Sequence, residues 1–173
     1  MDLSQVYREH YRSLVRFLYR RTGDQGKAED LAQEAFVRAI EHQPAQPRAW
    51  LFQVAANLAR DEGRRLAVRR RHLSLVRDEV SKQNPPRPDV ELERKEKQES
   101  VRAALAQLSP RDRDGLLLWE EGFSYDEIAE MLELSRGSVG TTLARARTRL
   151  AEAYRRLTGS AGPESRSRTD VAP

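Results

Sequence analysis

The chain has no cysteine among its 173 residues, which excludes disulfide frameworks and thiolate metal sites. Its three histidines, His10, His42 and His72, are isolated from one another and form no ligand cluster. His10 sits at an apolar helix position and reads as a core residue. No apolar run approaches the roughly 20 residues that span a bilayer. The N-terminus also lacks the apolar core of a signal peptide. No membrane insertion and a cytoplasmic location are therefore expected. Neither a Gly-rich phosphate loop nor a nucleophile–base constellation is present, so no catalytic residue and no cofactor are expected. Aromatic residues make up only 6%, and β-branched residues are sparse, which disfavours sheets. Ala, Leu, Arg and Glu dominate instead, and the expected fold class is all-α.

Charge is abundant and unevenly placed. The net charge is only +4, but Glu120 to Glu133 holds six acids and no base, whereas Arg136 to Arg156 holds six arginines and one acid. Segregation of this kind builds one face for a polyanion and another for a different partner.

Helical periodicity organises the first half. Residues 3–21 place Leu3, Val6, Tyr7, His10, Tyr11, Leu14, Phe17 and Leu18 on one face and Arg8, Arg12, Arg16 and Arg20 on a solvated back. A second helix over 25–42 has an apolar arc of Ala28, Leu31, Ala32, Ala35, Phe36, Ala39 and Ile40. Its opposite face presents Asp30, Gln33, Glu34, Val37 and Glu41, acidic apart from an exposed valine. Pro47 suits the first position of a third helix reaching about Arg71. Its buried stripe is Leu51, Val54, Ala55 and Leu58. Trp50, Gln53, Asn57, Arg60 and Arg64 share the other side, a mixture of the residue types that grip phosphates, read base edges and stack on unpaired bases.

Residues 77–90 carry three prolines and no periodicity, and read as a linker able to span about 45–50 Å. A fourth helix starts near Asp89 and turns apolar only at Val101, Ala104, Leu105 and Leu108. A fifth opens at Ser109-Pro110 and stops at Gly122. Gly115 inside it costs about 1 kcal/mol of helix propensity. Ser124 and Glu127 form the spacing of a capping box, which predicts a short helix over 125–132. Ser135 then caps a long basic helix reaching about Leu157. Val139, Leu143, Ala146, Leu150, Tyr154 and Leu157 face inward, with Ser138, Thr141, Thr142, Arg145, Thr148 and Arg149 outward. Two helices joined by a sharp turn, the second basic, make a helix-turn-helix for duplex DNA. Residues 159–173 are small and polar and read as a disordered tail.

The blocks AEDLAQEAFVRAI (28–40), PRAWLFQVAANLARDEGRR (47–65) and LSPRDRDGLLLWEEGFSYDEIAEMLELSRGSVGTTLARARTRL (108–150) together resemble a bacterial sigma factor of the small extracytoplasmic-function group. The helix-turn-helix alone is weakly specific; three blocks in this order are highly so. The resemblance implies two small helical domains joined by a flexible linker: region 2 over 1–74, the linker over 75–90, and region 4 over 91–158. It implies that Asp30, Gln33, Glu34, Val37 and Glu41 contact core RNA polymerase. Trp50, Gln53, Asn57, Arg60, Asp61, Arg64 and Arg65 would then recognise and open the −10 promoter element, with strands captured singly. Arg136, Ser138, Thr141, Thr142, Arg145 and Arg149 would read the −35 duplex. An anti-sigma factor is a further implied partner. Glu133 stands at the turn where such proteins often have Gly, which implies backbone strain. Gly140 and Thr142 stand where basic residues are common.

Two other readings have less support. An ordinary helix-turn-helix regulator, acting without a holoenzyme, would need a leading receiver or ligand-binding domain, and the leading helices show no strand–helix alternation. A nucleic-acid enzyme would need a catalytic constellation.

Overall fold

A computed structural model of the protein describes residues 2–73 and 89–159. The expected linker, except for Asp89 and Val90, and the expected tail beyond Gly159 lie outside the described residues. Among the described residues there are seven helices and no strand.

Three helices form a first bundle: α1 (Leu3–Thr22), α2 (Gln25–His42) and α3 (Pro47–Leu73). Local capping fixes their ends. The Asp2 carboxylate accepts from the Ser4 and Gln5 amides at 3.0 and 3.2 Å, and Asp24 accepts from the Lys27 amide at 3.0 Å. Ala28, Ala32, Ala35 and Ala39 recur along one side of α2, all fully buried. Their small side chains let α1 and α3 approach closely, and the larger groups Leu14, Phe17, Leu18, Leu51 and Phe52 fill the space between. Lys27 and Glu62, 2.6 Å apart, tie α2 to α3 at the edge. Hydrogen bonding to Lys27 holds the Glu62 carboxyl below its ordinary range.

The apolar assignments need three corrections here. Tyr7, expected on the inward face of α1, is 43% exposed. Ile40 is 52% exposed rather than buried, because α1 and α3 cover less of α2 than its apolar arc extends. In α3 the buried stripe is Leu51, Phe52, Ala55, Ala56 and Ala59, with Val54 and Leu58 only half-buried.

The second bundle contains α4 (Asp89–Ala106), α5 (Pro110–Glu120), α6 (Tyr125–Leu132) and α7 (Arg136–Thr158). The α4 helix therefore begins at Asp89, inside the stretch expected as linker. Ser109 accepts from the Asp112 amide at 3.2 Å and Pro110 takes the first turn of α5. Gly122 follows α5 at φ +85°, a left-handed position that a side chain would strain. Gly115 has a packing reason. A Cβ there would stand 3.4 Å from both Leu132 Cδ1 and Leu143 Cδ2, so the missing side chain brings α5 onto α6 and α7. Val139, Leu143, Ala146, Ala153 and Tyr154 are the buried residues of α7. Leu157, expected inward, is 46% exposed, since α4 and α5 end before covering the last turn of α7.

The two bundles pack against each other. Helix α1 meets α4 and α5, and α3 meets α5 and α6, while α2 and α7 take no comparable part.

Candidate nucleic-acid interface

The helix-turn-helix is built as the local sequence dictates. Ser124 Oγ accepts from the Glu127 amide at 3.3 Å, and the Ser124 amide donates back to Glu127 Oε2 at 2.7 Å. That reciprocal box starts α6 at Tyr125. These bonds, the Ser124 amide first, hold the Glu127 carboxyl below its ordinary range. After Leu132 the chain turns through Glu133 at φ +53° and ψ +48°, a left-handed conformation for a non-glycine residue. The strain expected there is therefore present. Ser135 occupies the cap position of α7, but its side chain makes no capping bond. Instead Ser138 Oγ donates to the Ser135 carbonyl at 2.7 Å.

Along α7, Thr141, Arg145, Thr148 and Arg149 are exposed, and Ser138 and Thr142 are half-buried. Among the described residues no ion pair involves Arg145, and its exposed side chain is open to an external acceptor. Arg136 reaches back to Asp126 of α6 at 2.7 Å, and Arg149 pairs with Asp112 of α5. Thr148 donates to the Ala144 carbonyl of its own helix. Arg147 lies over the Trp119 ring at 4.3 Å, clamping α7 to α5. Gly140 faces Tyr125, whose ring would lie 3.6 Å from a Cβ there.

The second candidate face runs along α3. Asn57, Asp61, Arg64 and Arg65 are exposed; Trp50, Gln53 and Arg60 are half-buried. Trp50 is not a free platform, because its ring stacks on His42 at 5.2 Å and 13°. Asp61 and Arg64 are 3.5 Å apart within the helix. Arg60 donates to Asn57 at 3.2 Å and also to Asp114 of α5 at 3.3 Å. One of the expected DNA-contacting arginines therefore already has an anionic partner in the other bundle.

The face of α2 is accessible. Asp30, Gln33, Glu34 and Glu41 are exposed, and Val37 and Ile40, one turn apart, leave an apolar strip 50% and 52% exposed. Glu34 pairs with Arg38 at 2.9 Å on the same surface, an exposed pair that exchanges readily.

Sequence reasoning missed the groups that join the bundles. Asp114 is fully buried, 3.0 Å from Arg21 Nε and 3.3 Å from Arg60 Nη2. Burial pushes the Asp114 carboxyl above the usual range against the pull of both arginines, and brings Arg21 down to about 10. Arg113 donates to the Arg21 and Leu108 carbonyls, bridging the ends of α1 and α4. Arg16 and Arg20, expected as a solvated back, pair with Glu121 at 3.0 Å and Glu120 at 2.9 Å. Arg48 donates to the Glu121 carbonyl and lies over the Phe123 ring at 4.0 Å. A charged residue at an inward position just before Leu116–Leu118 was the one available signal.

The described residues contain no group of three or more His, Cys, Asp or Glu suited to a metal ion, and no helix long and apolar enough to cross a membrane.

An all-helical chain that ends in a capped helix-turn-helix behind an arginine- and amide-bearing bundle defines a DNA-binding protein. Comparison with known proteins narrows the class. Residues 6–72 match sigma-70 region 2, and residues 98–150 match sigma-70 region 4. RNA polymerase sigma factor YlaC of Bacillus subtilis is 32% identical, over 86% of this chain and 90% of that protein. The sigma factor SigL of Mycobacterium tuberculosis is 35% identical, over 80% of each chain. Among solved structures, the sigma factor RpoE of Bartonella quintana, in complex with the anti-sigma factor NepR, matches with a TM-score of 0.68 at 25% identity. The match covers 88% of this chain and 96% of that one. The chain belongs to the extracytoplasmic-function sigma factors, DNA-binding proteins of transcription initiation.

Proposed function

We propose that the protein binds core RNA polymerase through the α2 face and directs it to promoters by reading a −35 duplex with α7 and capturing an opened −10 element along α3. The order of region 2 and region 4 on one chain supports this reading most directly. Asp30, Gln33, Glu34 and Glu41 supply charge around the apolar Val37 and Ile40, a surface suited to a basic, partly apolar partner. On α7, Ser138, Thr141, Thr142 and Arg145 occupy the first turns, where a recognition helix meets base edges, while Arg136 and Arg149 flank them near the backbone. Trp50, Gln53, Asn57, Arg60, Asp61, Arg64 and Arg65 line α3 for the strand that is opened. Arginine–phosphate contacts give salt-dependent affinity, and splayed bases offset an unstacking cost of a few kcal/mol per step. The chain performs no chemistry in this scheme; binding energy shifts the duplex toward the open form. Two anchors on one chain make promoter spacing a specificity term. An anti-sigma protein is a further proposed partner, since the Bartonella quintana sigma factor was solved with one.

Run-off transcription with core polymerase on a genomic promoter pool tests the proposal. Wild type should give discrete start sites only when core is present. Replacing Asp30 and Glu34 by Arg should abolish holoenzyme assembly while helicity is retained. Strong protection of closed promoter duplex by the chain alone would instead favour a regulator acting without polymerase.

A further inference from the structure

Between Arg136 and Arg149, α7 carries four arginines, and three of them already have partners inside the second bundle. Arg136 meets Asp126 at 2.7 Å, Arg147 covers the Trp119 ring, and Arg149 meets Asp112. Arg145 is exposed and, among the described residues, takes part in no ion pair. Both acids sit in the first turn of their helices, Asp112 in α5 and Asp126 in α6, where negative charge suits the positive helix end. The two pairs differ in freedom. Arg136 and Asp126 are both exposed, so that pair exchanges readily. The Asp112 side chain is only 7% exposed, against 57% for Arg149. The Asp112 amide also donates to Ser109 Oγ at 3.2 Å, which fixes the backbone that carries the acid. The acid is therefore held in place, and the arginine is the member that can leave. A cleft of about 320 Å³ beside the pair, lined by Ser109, Asp112, Arg149, Glu152 and Arg156 among others, gives the guanidinium room to turn.

Resting on the proposed reading of duplex DNA by α7, we propose that Asp112 is a positioning residue that holds Arg149 off the DNA backbone and so keeps sequence-independent affinity low. Arg149 stands one turn beyond Arg145 on the same face, about 6 Å farther from the start of the helix, where a recognition helix leaves base edges for phosphates. A phosphate recruits Arg149 only by taking it from Asp112, which leaves a buried carboxylate without its counter-charge. That cost is the same for every sequence. It lowers the grip on all duplexes alike and leaves discrimination to Ser138, Thr141, Thr142 and Arg145. A weak upstream grip in turn makes stable binding depend on the second anchor carried by the same chain. The pair is not the only tie between α5 and α7, since Gly115 opens onto Leu143 and Arg147 covers Trp119, so helicity should survive its loss.

The test is anisotropy of labelled duplexes titrated with the full chain, one duplex of random sequence and one carrying an upstream element recovered by run-off transcription. Asp112→Asn should tighten binding to both by a common factor, several-fold at low salt. The gain should shrink about 3- to 4-fold as salt rises from about 50 to 200 mM, as one added phosphate contact requires. Combining the change with Arg149→Ala should erase the gain. A pair that only holds α7 in place predicts the opposite, weaker binding by Asp112→Asn. Unchanged or weaker binding at parental helicity therefore overturns the proposal. So does a gain that survives the removal of Arg149, because Asp112 would then act on the DNA directly. If Asp112→Asn loses helicity, Arg149→Ala in the parent decides. An unchanged salt dependence supports the proposal, and a slope shallower by about 0.9 shows that Arg149 already grips phosphate and overturns it. The random duplex needs no known promoter, so a silent run-off assay with core polymerase would sink the sigma reading and leave this measurement intact.

Discussion

Phe52 and Phe123 meet edge to face with ring centroids 5.1 Å apart, although one belongs to α3 and the other to the turn between α5 and α6. Phe17 of α1 packs on the far side of Phe52 at 5.3 Å, so one aromatic run crosses from the first bundle into the second. Such pairs contribute about 0.5–1.5 kcal/mol beyond their buried area. Phe123 is buried, with Phe52 and Arg48 of the first bundle against its ring. Phe123→Ala should cost about 3–5 kcal/mol and uncouple the two halves. Each bundle holds one tryptophan, Trp50 or Trp119. Single-tryptophan variants should therefore show coincident urea transitions in the parent and separated ones after Phe123→Ala. Coincident transitions in both would mean that the aromatic run does not couple the bundles.

Glu133 holds a left-handed conformation that costs a residue with a side chain about 1–2 kcal/mol. Glycine removes that cost and returns part of the gain as chain entropy in the unfolded state. Glu133→Gly should thus stabilise the second bundle by about 0.5–1 kcal/mol, raising Tm by about 1–4 °C. Glu133→Val, branched at Cβ, should lower it. A fall in Tm for the glycine variant would show that the Glu133 side chain contributes more than its backbone costs.

How much of this was legible in the sequence depends on the range of the determining contacts. The ends of α5 and α6 were readable because Ser109, Ser124, Glu127 and Gly122 act within three or four residues of themselves. The helix-turn-helix followed, down to the strained Glu133. Ile40 was misplaced because periodicity gives the width of an apolar arc and not how much of it neighbours cover. Asp114 was missed because its role depends on Arg21 and Arg60, which are close only in space. Arg16 and Arg20 looked solvated for the same reason: their acids lie in the other bundle. The α3 face was legible as a set of residue types, but not the stacking of Trp50 on His42 or the capture of Arg60.

Gly115 offers a test of packing against propensity. Alanine would gain about 1 kcal/mol of helix propensity in α5. Its methyl, however, would enter at 3.4 Å from Leu132 and Leu143, close to the limit of ordinary contact. The two effects oppose, and Gly115→Ala should fall within about 1 kcal/mol of the parent. Gly115→Leu has no such compensation and should cost about 1–3 kcal/mol or more by overpacking. Denaturant midpoints of both variants check this. A large gain for alanine would mean that α6 and α7 yield easily, and that the glycine has another reason.

Replacing Arg145, the proposed upstream reader, separates base recognition from backbone grip. Arg145→Ala should weaken binding of the preferred −35 duplex by about 1–3 kcal/mol if Arg145 pairs with a guanine edge, with little effect on unrelated duplex. Arg149 is already paired with Asp112, so Arg149→Ala should also loosen the α5–α7 contact. Anisotropy titrations of both variants on matched and scrambled duplexes distinguish the two. An equal loss on every sequence would make Arg145 a phosphate contact.

The capping box makes α6 sensitive to acid in a defined direction. Glu127 accepts from the Ser124 amide and hydroxyl at 2.7 and 2.8 Å, and these bonds favour its charged form. Its folded-state pKa is therefore lowered from the ordinary 4.5, with burial opposing and Arg48 adding to the shift. Between the lowered value and 4.5 the unfolded chain binds more protons than the folded one. The stabilisation is thus complete above about 4.5 and is lost as pH falls through the lowered value. Glu127→Gln cannot titrate and keeps only a weaker neutral acceptor. Its deficit relative to the parent should be largest near neutral pH and shrink as pH falls below 4.5 through the lowered folded-state value. Ser124→Ala, which removes the reciprocal hydroxyl, should cost about 1 kcal/mol near neutrality. Urea unfolding followed through Trp119 across that range measures both. A Glu127→Gln deficit that stays constant with pH would show that the carboxylate charge has no part in holding the start of α6.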